Sequence, residues 1–199
     1  MVGIGPGDPD QRTRRAEKAI TESNVVVGYT PYLDSIADLI GERRTIASGM
    51  RQEVERCRAA LQCAAGGDVV SLISSGDPGI YGMAGLAIEL AAEDGVAVPI
   101  EIVPGVTAAG AAAAALGAPL MLDFAVISLS DLLVPWQQIC ERLKAVAAAD
   151  LTVALYNPRS KRRVRQLEEA VAIFSKHRPG TTPVGVVTAA SSPDESIVV

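Results

Sequence analysis

Short apolar runs recur along this chain, and between them hydrophobic positions fall three and four residues apart. The runs at 2–4, 24–28, 69–73, 100–103, 124–128, 151–155 and 183–187 predict strands. The segments 12–22, 50–65, 80–92, 106–116, 135–149 and 161–176 predict helices. Ser48 and Gly49 ahead of Glu53 and Glu55, and Pro135 just inside the helix that carries Trp136, are start signals. Because strands and helices alternate, the chain reads as an α/β protein built from βαβ units with parallel strands. The all-alanine run Ala111 to Ala115 reads as a closely packed helix.

Three predicted strand ends run into loops rich in glycine and proline. The first is Gly3-Ile4-Gly5-Pro6-Gly7-Asp8, the second Ser74-Ser75-Gly76-Asp77-Pro78-Gly79-Ile80-Tyr81-Gly82, and the third Pro104-Gly105-Val106-Thr107-Ala108. In parallel α/β sheets ligands bind at the carboxyl ends of strands. Loops stripped of side-chain bulk let backbone amides and carbonyls approach a ligand, and Asp77 adds a fixed acceptor, so the three predict one composite site. Glycines at 3, 5 and 7 do not make the dinucleotide fingerprint G-x-G-x-x-G, and Pro6 lacks an amide that a pyrophosphate would need. No G-x-x-x-x-G-K-[ST] phosphate loop occurs either.

Composition narrows the class further. With 49% hydrophobic and only 4% aromatic residues, Ala, Val, Leu and Ile must fill the core. No apolar run nears the roughly 18 residues of a membrane span, and Met1-Val2-Gly3 does not open a signal peptide, so a cytoplasmic protein is expected. A net charge of −5 disfavours nucleic acid as a partner. Cys57, Cys63 and Cys140 form no C-x-x-C pair, and the first two are expected on different helix faces, as buried small hydrophobes and not as metal ligands. The lone histidine, His177, reads as a helix-end residue, which argues against Ser-His-Asp chemistry. Two basic clusters stand out: Arg12, Arg14, Arg15 and Lys18, and Arg159, Lys161, Arg162, Arg163 and Arg165. They read either as solvated helix faces or as a rim that steers an anionic substrate.

The segments GIGPGD (3–8), VVGYTPYLD (26–34), GMRQEVERC (49–57), SSGDPGIYGMAGL (74–86), VPGVTAAGAAAAALGAPL (103–120), ISLSDLLVPW (127–136) and ALYNPRSKRR (154–163) together resemble the tetrapyrrole methyltransferase family along essentially the whole chain. The resemblance implies two α/β domains, here 1–105 and 106–199, with the active site in the cleft between them. It also implies S-adenosylmethionine as methyl donor, a precorrin-type tetrapyrrole as substrate, and a homodimer. The segments 127–136 and 154–163 point within the family to methylation at C17 of a precorrin-3-type ring with ring contraction, in cobalamin synthesis. Another ring position, or an inactive cofactor-binding scaffold, stays open, as does a cobalt-containing or metal-free substrate. The family's second domain continues past the point where this chain reaches Ile197-Val198-Val199, so the outer part of the substrate cleft is expected to be incomplete.

By resemblance, Pro6, Gly76, Asp77, Ile80, Thr107, Ala108, Tyr156, Asn157 and Ala190 contact the cofactor. Asp77 is expected at its amino-acid end, and Ile80 and Tyr156 around its adenosyl part. Methyl transfer from a sulfonium needs alignment and exclusion of water, not a protein nucleophile. Ring contraction also needs protons moved, and Asp123, Ser128, Ser130 and Asp131 are the candidates, with Tyr81 behind them. Ser130 and Asp131 fit a helix cap equally well. A histidine commonly precedes the aspartate of the family's GAPL-x-H-D-F segment; here the residue is Leu122, which cannot carry a proton.

Overall fold

The computed structural model describes residues 1–161 and 163–199, and it forms two compact units. The first holds residues 1–111 and 188–196. Its sheet is parallel, in the order β1 (Val2–Gly3), β4 (Val70–Ser74), β2 (Val25–Tyr29), β3 (Arg44–Ser48). Val103 extends it by one bridge to Val2, with Gly3 N donating to Val103 O at 3.0 Å and Val103 N to Met1 O at 2.9 Å.

Strand periodicity distributes the core between the two faces of this sheet. Val25, Val27 and Leu72 pack with α4 (Glu53–Ala65) and α5 (Ala84–Glu93), through Cys57, Ala60, Leu61, Ala87 and Leu90. The intervening Val26 and Ile73 pack with Ala16 and Ile20 of α1 (Arg14–Thr21), Leu33 of α2 (Thr30–Asp34) and Ile40 of α3 (Ala37–Ile40). A strand covered on both faces needs apolar residues at every position, hence the continuous Val25-Val26-Val27 run.

The second unit holds residues 112–187 and 197–199, so the division falls inside α6 (Ala108–Ala115). The domain change expected at 105/106 differs from this by six residues, and 188–196 returns to the first unit. The reason is local: the Pro104–Gly105 turn packs on the first strand loops, as described below. In the second unit β5 (Phe124–Ser128) pairs in parallel with β6 (Thr152–Tyr156). Ile127 and Leu129 bury against Ile139, Leu143 and Ala147 of α7 (Trp136–Ala148) and Ala170 and Ile173 of α8 (Gln166–Phe174). Trp136 Nε1 donates to Glu169 Oε2 at 2.6 Å and ties the two helices. β7 (Val186–Thr188) and β8 (Ser196–Val198) form a separate two-stranded sheet. No helix among the described residues is long and apolar enough to cross a membrane.

Several expectations change. β3, α2, α3 and β8 were not predicted, and of the run 100–103 only Val103 pairs. α5 starts at Ala84 and not near 80, because Ala84 N reaches back to Pro78 O at 2.9 Å around a tight turn. Cys57 is fully buried, and burial pushes its thiol up to about 11. Cys63 borders the same apolar cluster half-buried.

Arg12, just before α1, donates to Asp38 Oδ2 at 2.7 Å and joins that region to α3. The guanidinium holds the Asp38 carboxyl below its ordinary value. A depressed folded value means that the pair stabilises the fold above about pH 3.9 and that this contribution is lost as pH falls through the folded value. Asp38→Asn is therefore expected to lower the urea midpoint at pH 7, with the gap from wild type closing as pH is lowered toward 2. A gap that persists undiminished at low pH would remove the ion pair as its cause.

Candidate functional site

All three glycine loops leave neighbouring strands at the carboxyl edge of the first unit's sheet, because Val103, β1 and β4 lie side by side. Gly5 and Gly76 exchange backbone hydrogen bonds, Gly76 N to Gly5 O at 2.8 Å and Gly5 N to Gly76 O at 3.3 Å. Both glycines have positive φ, 78° and 58°. A methyl group on Gly105 would sit 2.1 Å from Gly76 O, and one on Gly3 would sit 2.6 Å from the same oxygen. The backbones meet at a distance only glycine permits. The three loops read from sequence as one site thus meet within one unit.

Asp77 supplies the polar tie. Its Oδ1 accepts from Gly79 N at 2.7 Å and its Oδ2 from Gly105 N at 3.1 Å, joining the second loop to the third. Both carboxylate oxygens already accept backbone amides, so Asp77 shapes the loops first, and what remains for a ligand is each oxygen's second lone pair. Ile80 and Tyr81 follow with exposed apolar surface, 39% and 53% accessible. Thr107 and Ala108 open α6, where Thr107 O accepts from Ala111 N at 3.1 Å. Ala190 comes back to the first loop: a methyl on Gly7 would stand 3.6 Å from its carbonyl oxygen. Pro6, Gly76, Asp77, Ile80, Thr107, Ala108 and Ala190 therefore gather around these loops.

Tyr156 and Asn157 lie in the second unit, at the carboxyl end of β6. Ser128 is the register partner of Tyr156, and its Oγ accepts from Asn157 Nδ2 at 3.0 Å and from Ser130 N at 3.2 Å. Arg163 closes this group, Nη1 donating to Asn157 O at 2.8 Å and Nη2 to Ser130 Oγ at 3.2 Å. Arg163 was read from sequence as part of a solvated or steering basic cluster. The structure instead uses it as an internal brace, a role that spacing alone does not signal.

Of the proton-transfer candidates, Ser128 and Ser130 come together and Asp131 sits beside them, accepting from Gln166 Nε2 at 3.1 Å. None of the three caps α7, whose N-cap residue is Pro135. Asp123 is not part of the group. It precedes the amino end of β5, roughly 16 Å along the strand from Ser128 at about 3.3 Å per residue. The first basic cluster is also partly neutralised: Arg12 pairs with Asp38, Arg15 with Glu101 and Lys18 with Glu22. Arg159 and Lys161 are exposed, and Arg162 lies outside the described residues.

Two α/β units with a glycine-loop site at parallel strand ends define the class. The family described as Tetrapyrrole (Corrin/Porphyrin) Methylases matches residues 1–199, and the chain belongs to it. It is 45% identical over 195 residues to a probable cobalt-factor III C(17)-methyltransferase of Salmonella typhimurium, covering 98% of this chain and 81% of that protein. With the precorrin-3B C(17)-methyltransferase of a Sinorhizobium species it shares 43% over 202 residues, covering 100% of this chain and 79% of the relative. It is also 45% identical to the cobalt-factor III methyltransferase of Priestia megaterium, but spans only 37% of that longer protein. Among solved structures, the methyltransferase CobJ superposes with a TM-score of 0.88 at 38% identity, over 99% of this chain and 83% of its own. A uroporphyrin-III C-methyltransferase of Thermus thermophilus complexed with S-adenosylhomocysteine gives 0.69 at 27%, over 99% of this chain and 84% of its own.

The loop contact makes a discriminating test. Gly105→Ala cannot relieve its clash by moving a side chain, since the obstructing atom is backbone. It is expected to destabilise the protein by about 1–3 kcal/mol or more and to disrupt the loop site. Gly85→Ala in α5 meets nothing within 4 Å and should be neutral or stabilising by up to about 1 kcal/mol. Chemical denaturation of the pair checks this, and equal midpoints for the two variants would contradict the close packing.

Proposed function

We propose that this chain is the S-adenosylmethionine-dependent enzyme that methylates C17 of precorrin-3B or cobalt-precorrin-3, with ring contraction, in cobalamin biosynthesis. The observation that carries the reading is similarity along the whole of this chain to proteins named for that reaction, together with three glycine loops that meet at the strand ends. The loops suit the cofactor on their own chemistry: they present backbone groups with little side-chain bulk, beside apolar surface on Ile80 and Tyr81 that an adenosine can cover.

When bound, S-adenosylmethionine supplies an electrophilic methyl group, so the protein's work is binding, orientation and proton management. Asp77 fixes the second loop against the third and so sets where a ligand's polar groups can meet backbone amides. Pro6, Gly76, Ile80, Thr107, Ala108 and Ala190 are assigned to cofactor contact in the first unit, and Tyr156 and Asn157 in the second. The Ser128, Ser130 and Asp131 group is assigned to moving protons on the macrocycle. Leu122 leaves its own position without a proton carrier. A cytoplasmic homodimer completes the reading, and light scattering at several concentrations tests the pairing.

Two measurements test the function. Calorimetry should detect S-adenosylhomocysteine binding, and Asp77→Ala should weaken it about tenfold or more, the value of a charge-assisted hydrogen-bond network of 1.5–3 kcal/mol. Mass spectrometry should find a methylated product from precorrin-3B or its cobalt counterpart. Cofactor binding without methylation of either would leave the scaffold alternative standing.

The exposed part of the second basic cluster tests substrate steering. Reversing Arg159 and Lys161 to Glu is expected to raise KM for the tetrapyrrole while leaving cofactor affinity unchanged. The effect should shrink as salt is added, because exposed charges are screened beyond about 8 Å at physiological ionic strength. Identical kinetics at low salt would assign both residues to ordinary helix-flanking surface.

A further inference from the structure

The segment Gly49 to Cys57 is among those that carry the family resemblance, yet the glycine-loop site does not use it. Within it, Arg56 is 4% exposed, in α4. Its Nε donates to Ser48 Oγ at 2.6 Å and its Nη2 to Gly49 O at 2.8 Å. Nη1 reaches only the thioether of Met83, at 3.2 Å, and the guanidinium carbon lies 5.7 Å from the centroid of the Tyr29 ring. Tyr29 and Ser48 are register partners at the ends of β2 and β3. The cation therefore sits at the carboxyl edge of the same sheet that carries the glycine loops, where parallel sheets bind ligands.

Its charge has no counter-ion. Arg12, Arg15, Arg44, Arg58 and Arg178 each lie within 4.0 Å of a carboxylate, whereas Arg56, buried in the first unit, has none. A buried guanidinium is costly unless paired, and all of its present partners are neutral. A hydroxyl and a carbonyl hold one side of the fork, while a weak sulfur acceptor on a flexible side chain closes the other. That arrangement orients a bidentate donor and leaves its charge unmatched.

We propose that Arg56 is a substrate-anchoring residue that pairs with a peripheral carboxylate of the tetrapyrrole, which takes the place of the Met83 thioether on the guanidinium. The assignment rests on the proposed function, since a precorrin-type ring carries several carboxylates. It adds which side chain holds one of them, and through it how the ring is registered on the sheet edge.

The test is steady-state methylation of the precorrin-3-type tetrapyrrole by wild type, Arg56→Met and Arg56→Lys, with S-adenosylhomocysteine titrated into each. Arg56→Met is expected to raise KM for the tetrapyrrole tenfold or more, with cofactor affinity within about twofold of wild type. Arg56→Lys should recover part of the loss, because it keeps the charge without the fork. An unchanged KM in folded Arg56→Met overturns the proposal, as does a parallel loss of cofactor affinity and thermal stability in both variants, which would mark a structural clamp. Should Arg56→Met fail to fold, Arg56→Lys decides alone: a KM equal to wild type's overturns the proposal, and one raised several-fold at unchanged cofactor affinity supports it. Wild type that binds S-adenosylhomocysteine but methylates neither tetrapyrrole defeats the functional reading itself. Wild-type turnover with unaltered variants defeats only the role of Arg56.

Discussion

The contact among Gly3, Gly76 and Gly105 is the constraint on which the first unit's site depends. Three strand ends can share one edge only if their following turns do not exclude one another, and here the turns pass at separations that no Cβ tolerates. The Gly5 and Gly76 hydrogen bonds and the bidentate Asp77 tie then fix those turns relative to the sheet. The same packing explains why the Pro104–Gly105 turn belongs to the first unit although a helix that enters the second follows it directly. Close approach and polar tying act together: the glycines make room, and Asp77 supplies partners for amides that a tight turn would otherwise leave unpaired.

How legible this was in the sequence depended on whether the deciding term was local. The Val25-Val26-Val27 run announces a strand buried on two faces, and the helix carrying Ile139, Leu143 and Ala147 shows its period of four; both are correctly placed. β3 was missed because Arg44-Thr45-Ile46-Ala47-Ser48 is an edge strand with most of its residues exposed, so pairing with β2, and not its own pattern, makes it a strand. α2 and α3 are too short to develop a helical period, and the start of α5 was misjudged because its apolar pattern runs into the turn at Pro78 to Met83. The three loops could be read as one site from their position after strands. That Asp77 bonds Gly105 across 28 positions could not, since no spacing rule encodes a tertiary contact.

The polar candidates of the second unit divide on similar grounds. Ser128, Ser130 and Asp131 follow one strand end and stay together, whereas Asp123 precedes the same strand and is carried to its other end. Proximity in sequence is thus a poor guide across a strand: Asp123 lies at the far end of β5 from Ser128, whereas Asn157, 29 positions away, bonds it. Asn157, at φ 52°, holds a conformation that Asn accepts more readily than most residues, and its side chain is thereby free to bond Ser128. The strand-ending turn and the polar group are accordingly one device.

Counter-ions offer a sharper way to sort the arginines than clustering in sequence. Arg12 and Arg58 are answered by carboxylates, which accounts for their charge within the fold. Arg163 is answered by a carbonyl and a hydroxyl, and it braces Asn157 against Ser130 from a half-buried position in which its Nε is enclosed. Arg56 has the same kind of neutral partners but is only 4% exposed, so water does little to offset its charge. The two residues make similar hydrogen bonds and differ in burial, and burial decides which charge calls for an anion. An exposed basic cluster can attract an anion at long range, whereas a buried, unanswered cation can hold one in a fixed place.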